Sequence, residues 1–581
     1  MDGTPATVFE ALIEARNRFG DKEILEDQDR KPLTDTGLIR AAFVLGRKIA
    51  AITEPAERVG ILLPSSMGVV VTFFGLHAHG RVPTMLNFTA GERNVKAAIQ
   101  TAGVRRVLTA RRFIEQARLE DLVSAIGEVA EVVWLDDVRT TIGIADKLYG
   151  LMAGMMPRRF LVPTTPDSPG VLLFTSGSFG APKGVVLTQW NLVSNTRQVG
   201  QHIDLKPEWV MFNPLPTFHC FGLTGGVLLP ILQGMKAFEY PSPLHAKQIV
   251  ELLPQTKASI LLATDTFLNQ YARVAGPDDF GTLKFVVAGA ERVRDETHHL
   301  FNTRFHGLKL LEGYGATEAA PVVAVNHPDR NRPGSVGQIL PGMEWRLEPI
   351  EGIDEGQRLY LRGPNVMAGY LDPEDPERLE LLEGGWHDTG DIIDLDPEGY
   401  IAILGRAKRF AKIGGEMVSL AAVEGLASAV WPEGRHAVVA VADTRKGEKL
   451  VLVTDRNDAE VARLAEWARS HGAPELAVPK KIVKVAELPV LGTGKTASVT
   501  NQQLVEMDRA ALAARRKDQP NCFLANPAIW RPWKRVPSVW SRTLHNCDDA
   551  VQKRVPVPMM MMMMMMASWC SSTSTVAIGA A

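Results

Sequence analysis

The residues 172–191, LLFTSGSFGAPKGVVLTQWN, have the composition of an anion-binding loop. An apolar run leads into Thr175, Ser176, Gly177 and Ser178, and then into Gly180, Pro182, Lys183 and Gly184. Small residues let a backbone curl around an anion, so that its N–H groups and the three hydroxyls donate to phosphate oxygens. Lys183 adds a compact positive charge. The competing reading is a flexible surface loop, since Gly and Ser often cluster there. Entry from an apolar run, and a proline fixing the turn before Lys-Gly, favour the phosphate. A second stretch, LPVLGTGKTAS at 488–498, looks like a P-loop but is not one. That pattern needs a glycine where Pro489 stands. Lys495 therefore calls for a different account.

Both stretches must be carried by ordered elements. Short apolar runs such as VLLF (171–174), SILLA (259–263) and KFVVA (284–288) read as buried strands, and LHAKQIVELL (244–253) as an amphipathic helix. Their alternation predicts an α/β architecture with largely buried sheets. Gly and Pro cluster over 331–372, which predicts short strands between turns. Beyond residues 404–406 the texture changes. Strands are expected at 436–442 and 449–454. A helix is expected over 459–472, with Val461, Leu464, Ala465 and Ala468 on one face and Gly472 as its stop. The predicted organisation is a large multi-sheet N-terminal domain over 1–405 and a small α+β domain over 406–510.

Bulk properties narrow the function. The chain has 581 residues, 45% apolar and 22% charged, with a formal net charge of −2. That suits a globular protein and gives no reason to expect nucleic acid as a partner. Of four cysteines only Cys220 precedes residue 510, which fits a reducing cytosol better than a disulfide framework. The N-terminus lacks the basic start and apolar core of a signal peptide. GVVVTFFGLHAHGRVPTML (68–86) is too interrupted to cross a bilayer, which takes about 20 apolar residues, and is expected to be a buried core helix. Residues 511–581 contain three cysteines and eight consecutive methionines without periodicity, and are predicted to be disordered. Within them IWRPWKRVPSVWSR (529–542) is basic and Trp-rich, a candidate for contact with an anionic membrane surface. The plainer reading is a tail without function.

TSGSFGAPKG resembles the phosphate loop of the acyl-adenylate-forming, or AMP-binding, enzymes. Further stretches resemble that superfamily's other landmarks in order: EGYGATE (312–318), GWHDTGD (385–391), GRAKRFAKIGGEMVS (405–419) and LGTGKTAS (491–498). GRAKRFAKIGGEMVSL, HGAPELAVPK, VVAGAE, PSPLH and LPGM are most similar to the ligase half of the bifunctional acyl-[acyl-carrier-protein] synthetase/acyltransferases of bacterial phospholipid repair. The acyltransferase motif, His followed five residues later by Asp, is absent from the sequence. The ligase activity is therefore expected without the acyltransferase.

The resemblance implies the following roles. Thr175, Ser176, Gly177, Ser178 and Lys183 hold the phosphates of ATP. Tyr314 presents an aromatic face to adenine beside Gly315, and Thr317 offers phosphate a hydroxyl. Glu318 gives magnesium a hard oxygen. Gly289, Ala290 and Glu291 form the edge of the adenine pocket, a place where a plain tight turn is the alternative. Asp391 and Arg406 meet the ribose. His219, Phe221 and Gly222 border the acyl pocket, although a lone histidine is as often structural. Lys495 is the catalytic lysine of the small domain, Lys408 its hinge, and Gly415 a point where a thin thiol arm passes the backbone. Three departures stand out: Phe179 after the loop serine, Gln189 where many members have His, and Ala497-Ser498 after the lysine.

The expected reaction is activation of a fatty acid by magnesium–ATP through an acyl-adenylate. The acyl group then passes to the phosphopantetheine thiol of an acyl carrier protein. The alternatives are a long-chain acyl-CoA or acyl-AMP ligase and a catalytically silent acyl- or nucleotide-binding module. The expected location is the cytoplasm, with contact at the inner membrane face resting on the tail.

Overall fold

The structure is a computed structural model that describes residues 4–175, 182–351, 353, 355–413, 416–443, 447–471, 474–486 and 488. Ser176, Gly177, Ser178, Phe179, Gly415, Gly472, Lys495, Ala497, Ser498 and the whole of 511–581 lie outside that set. The described residues belong to one compact unit, Met1–Leu512.

Among the described residues the strands form four sheets. The first has a core of six parallel strands, Lys309–Gly315, Phe285–Ala288, Ile260–Ala263, Val210–Asn213, Lys236–Glu239 and Glu23–Asp27. The second runs from Leu379–Leu381 through Gly369–Leu371, Lys183–Thr188, Pro169–Thr175, Val82–Met85, Arg58–Ile61 and Arg106–Thr109 to Glu131–Trp134. Its first four strands pair antiparallel and the remainder parallel. Strand runs such as Ile260–Ala263 are buried at every position, as apolar runs in a sheet covered on both faces should be. The third sheet is antiparallel: Glu344–Glu348, Gln357–Arg362, His387–Leu395 and Ile401–Arg406. The fourth, over residues 410–484, packs with the helices Leu420–Val430 and Val461–Ser470 around a core drawn from that segment alone.

The fold class read from the sequence is the one observed. One element differs. The stretch 68–86 is not one helix but a buried helix, Met67–Ala78, followed by the strand Val82–Met85. Gly80 turns the chain at φ +67°. Arg81 then donates to the carbonyls of Ala50 at 3.0 Å and Thr53 at 2.6 Å, near the end of the neighbouring helix Asp35–Ala50. The helix Met67–Ala78 itself ends at the left-handed Gly80, where the Arg81 N–H donates back to the Leu76 carbonyl at 2.9 Å. Among the described residues no helix is long and apolar enough to cross a membrane.

The start of the helix Asp35–Ala50 gives a prediction about stability. Burial pushes the Asp35 carboxyl up to about 6. The protonated acid is thus favoured by folding. Its contribution is complete below the unfolded carboxyl's range and is lost as pH rises through about 6. Asp35→Asn keeps an acceptor for the Lys22 N–H, 3.3 Å away, and removes the buried charge. The variant is expected to be more stable than the parent by about 1–3 kcal/mol at pH 7.5 and equal to it near pH 4. Urea melts at the two values measure this, and an unchanged difference across that range would contradict it.

Candidate active site

Thr175 and Lys183 are register partners at the open end of an antiparallel pair. Val171, Leu172 and Leu173 are fully buried and anchor that pair, so its polar end is held by apolar packing behind it. The Lys183 ammonium lies 4.7 Å from the centroid of the Tyr370 ring, a cation–π distance. Tyr370 belongs to the next strand, Gly369–Leu371, where it pairs with Val185. Its hydroxyl donates to Glu318 Oε1 at 2.8 Å. Burial and then the Glu318 carboxylate push the phenol up, so it stays a donor at neutral pH. Tyr370 was not among the residues singled out in the sequence. It nevertheless bridges the lysine beside the loop and the carboxylate expected to face magnesium.

Glu318 sits in a short turn, Thr317–Ala319, that follows the strand Lys309–Gly315. Two features fix that turn. A Cβ at Gly315 would stand 2.3 Å from the Pro321 carbonyl oxygen, so only glycine fits. The Glu318 carbonyl accepts from the Met367 N–H at 2.8 Å, which ties the turn to the second sheet. Thr317 Oγ1 lies 3.4 Å from Cys220 Sγ.

A second constellation gathers around Asp391. Asp391 and Arg406 face each other across adjacent strands. Arg406 Nε donates to Asp391 Oδ1 at 2.9 Å, and the Tyr314 hydroxyl donates to Oδ2. Asp391 is 3% exposed, whereas the Arg406 side chain is 60% exposed. Burial and Asp391 push the Tyr314 phenol well up, and Asp391 raises the Arg406 guanidinium. His387, in the same strand as Asp391, is buried, and burial lowers its imidazole below the usual range. It is therefore a neutral ring among Glu318, Asp388 and Asp391.

Cys220 leads into a π-helix, Phe221–Leu228, a geometry often found where function distorts a helix. Its glycines fit the crowding around it. A Cβ on Gly222 would be 2.3 Å from the Pro216 carbonyl, and one on Gly226 2.1 Å from Asn213 Nδ2. Asn213 donates to the Gly222 carbonyl at 3.1 Å and to Glu239 Oε2 at 2.8 Å. Glu239 is fully buried, and burial raises its carboxyl well above the usual range, so it is a neutral acid beneath the π-helix. His219 packs its ring 4.7 Å from that of Phe218.

The segment 289–291 divides in its duties. A Cβ on Gly289 would be 3.2 Å from the Phe221 ring, which places this glycine against the start of the π-helix. Ala290 has φ +71°. The Glu291 carboxylate accepts from the Thr266 N–H at 2.9 Å and its hydroxyl at 3.0 Å, closing the first turn of the helix Asp265–Val274. Gln189 is likewise occupied, accepting from the Val8 N–H at 3.0 Å. Lys408 stands two residues after Arg406 in the turn Ala407–Arg409.

Gly289 and Tyr314 lie at the carboxyl ends of parallel strands, where α/β sheets gather ligands. Glu318 supplies one hard oxygen site. Among the described residues no group of three or more His, Cys, Asp or Glu side chains could cage a metal alone. That donor set fits magnesium, which takes one or two carboxylates and otherwise prefers phosphates and water.

Residues 14–371 match the AMP-binding enzyme family. The matched span includes Thr175, Lys183, Glu318 and Tyr370 and stops short of Asp391 and Arg406. The chain is 30% identical over 509 residues to a sulfoacetate–CoA ligase of Cupriavidus necator, covering 84% of this chain and 95% of that one. It is 26% identical over 497 residues to a medium-chain fatty-acid–CoA ligase of Escherichia coli, with 82% and 86% covered. The crystal structure of ATP-bound MatB from Rhodopseudomonas palustris superposes with a TM-score of 0.73 at 22% identity, over 89% of this chain and 99% of that one. The protein belongs to the AMP-binding enzyme family.

Tyr370→Phe isolates the bridge, because it removes the hydroxyl and leaves the ring under Lys183. The loss of one hydrogen bond to a carboxylate is expected to raise KM for ATP about five- to tenfold, with little change in melting temperature. Steady-state kinetics at saturating acid measure this, and a parental KM would show that the hydroxyl does not orient Glu318.

Proposed function

We propose that the protein is an AMP-forming acid–thiol ligase that activates a fatty acid and passes it to the thiol of an acyl carrier protein. The observation that carries the reading is the pair of constellations, Lys183–Tyr370–Glu318 and Tyr314–Asp391–Arg406, drawn from one strand and the turn that follows it. The first suits a polyphosphate with its counter-ion. The second suits a sugar edge. Asp391 already accepts from a phenol and a guanidinium, so its carboxylate is oriented before a ribose hydroxyl arrives.

In the first half-reaction a carboxylate oxygen attacks the α-phosphorus of ATP. The bond from that phosphorus to the bridging oxygen breaks, and pyrophosphate leaves. Magnesium, when bound, neutralises charge on the phosphates, and Glu318 is the residue that would hold it. Negative charge collects on the α-phosphate and bridging oxygens in the transition state. A fixed cation there stabilises that state more than the ground state. This is the role proposed for Lys495, brought by the small domain, 406–510. In the second half-reaction a thiolate attacks the acyl carbonyl and AMP leaves. The same domain then turns about Lys408 and carries Lys495 away, and Gly415 admits the thiol arm.

The acyl side of the pocket is assigned to His219, Phe221 and Gly222, where the π-helix meets Gly289. The Phe221 ring and the glycines beside it suit a fatty tail. The carrier-protein acceptor rests on the sequence motifs around 405–420 and 471–480. A second reading, CoA as acceptor, is favoured by the CoA-ligase activity that the relatives' names state. Incubation with ATP, palmitate and equal amounts of phosphopantetheinylated carrier protein and CoA separates the two. Thioester mainly on the carrier protein supports the first reading. Thioester mainly on CoA overturns it in favour of the second.

A further inference from the structure

The helix Ile144–Met155 is turned inside out. Its buried residues are Asp146, Gly150, Ala153 and Gly154, all of them small or polar. They pack against the helix Asp35–Ala50 so closely that a Cβ on Gly150 would stand 2.4 Å from Val44 Cγ2. Tyr149 packs inward against Phe43, but the aliphatic and methionine side chains point the other way. Ile144 is 78% exposed and Met155 61%, and Leu148, Leu151, Met152 and Met156 are exposed with them. These positions follow i, i+4, i+7, i+8, i+11 and i+12, so they make one stripe. The helix's one acid, Asp146, lies on the inner face, 2.7 Å from the Lys48 ammonium. Stripes of this kind on a soluble fold mark an interaction surface.

The end of the stripe identifies its partner. The chain continues Met156-Pro157-Arg158-Arg159, and a cavity of about 280 Å³ opens there, lined in part by Ile13, Arg16, Met156, Arg158 and Arg159. Arg16 is held at its rim by donating to the Gly154 carbonyl at 2.9 Å. Arg158 is 64% exposed, with Glu14 at 3.8 Å as a loose counter-charge. Lys147 is exposed on the helix itself. Three guanidinium groups around a hollow suit a phosphate. The exposed charges of the helix and of the residues that follow it, Lys147, Arg158 and Arg159, are all positive, which an anionic surface complements. The helix has 12 residues, too few to span a bilayer.

We infer that the helix Ile144–Met155 docks in the surface plane of an anionic phospholipid bilayer, its apolar stripe among the upper acyl chains and Arg16, Arg158 and Arg159 on lipid phosphates. This holds whether or not the acid–thiol ligase reading is correct.

Co-sedimentation of the full chain with vesicles of phosphatidylglycerol and phosphatidylethanolamine, and with vesicles of phosphatidylcholine alone, tests it. The protein is expected to bind the anionic vesicles and to be released by salt. A Leu148→Ser/Leu151→Ser/Met155→Ser variant and an Arg158→Glu/Arg159→Glu variant are each expected to bind about tenfold less or weaker still. Both keep the residues 529–542, so the difference reports on the helix and the arginines that follow it. The substituted side chains are exposed, and unchanged melting temperatures would show that the fold is intact. No binding by the parent, or parental binding by both variants, overturns the proposal. So does light scattering that finds a parental dimer and a monomeric serine variant, since the stripe would then be a self-interface.

Discussion

Lys495→Ala is expected to slow acyl-adenylate formation by about a hundred- to a thousandfold, equivalent to about 3–4 kcal/mol of transition-state stabilisation. Transfer of the acyl group from supplied acyl-adenylate to a thiol should stay close to the parental rate. The asymmetry follows from where charge develops. Attack on phosphorus gathers anionic charge on the α-phosphate and bridging oxygens, where a delivered cation adds to magnesium and Lys183, whereas thiolysis of a mixed anhydride relieves charge into a good leaving group. Single-turnover assays of the two half-reactions read this directly. Equal loss in both would mean that Lys495 supports the fold or the nucleotide in general and is not confined to one step.

Glu318→Gln should have the next largest effect. The amide keeps the shape of the side chain and still accepts from the Tyr370 hydroxyl, which now reaches Oε1 at 2.8 Å. It loses the anionic oxygen that suits a hard cation. The expected result is a fall in kcat/KM of about a hundredfold, with a higher magnesium concentration needed for half-maximal rate. A parental magnesium dependence would separate Glu318 from the metal and leave it only as the partner of Tyr370. Comparison with Tyr370→Phe sharpens the point. The phenylalanine should affect ATP binding modestly, because it removes an orienting bond and not the ligand itself.

Much of this was legible in the sequence because the signals were local. The runs 171–174, 260–263 and 285–288 are strands because apolar residues stand at consecutive positions between turn residues, as a doubly covered sheet requires. Glu318, Asp391 and Arg406 could be picked out as motif residues without knowing their neighbours. Tyr370 could not. Its importance lies in a bond to Glu318 across 52 positions and in a lysine on a strand that pairs with its own. Glu239 is hidden for the same reason, since nothing in AFEYPS says that its carboxyl is buried beneath a π-helix against Asn213. Glu291 shows the converse. It stands in a recognisable segment, yet its carboxylate is taken up by the first turn of a helix. The break at Gly80 and Arg81 was obscured by apolar residues that suit a buried helix and a buried strand equally, and the left-handed backbone at Gly80 decides between them. The helix Ile144–Met155 has apolar residues at helical spacing, which ordinarily means core. The small residues between them make the inner contact instead.

In the proposed reaction a carboxylic acid is joined to AMP before any thiol takes part. Isotope exchange between pyrophosphate and ATP, measured with palmitate and without a thiol, tests it most directly. Exchange is expected that requires both palmitate and magnesium and is lost in Lys495→Ala. Absence of exchange in the parental protein under those conditions, or exchange that proceeds without an acid, would contradict it.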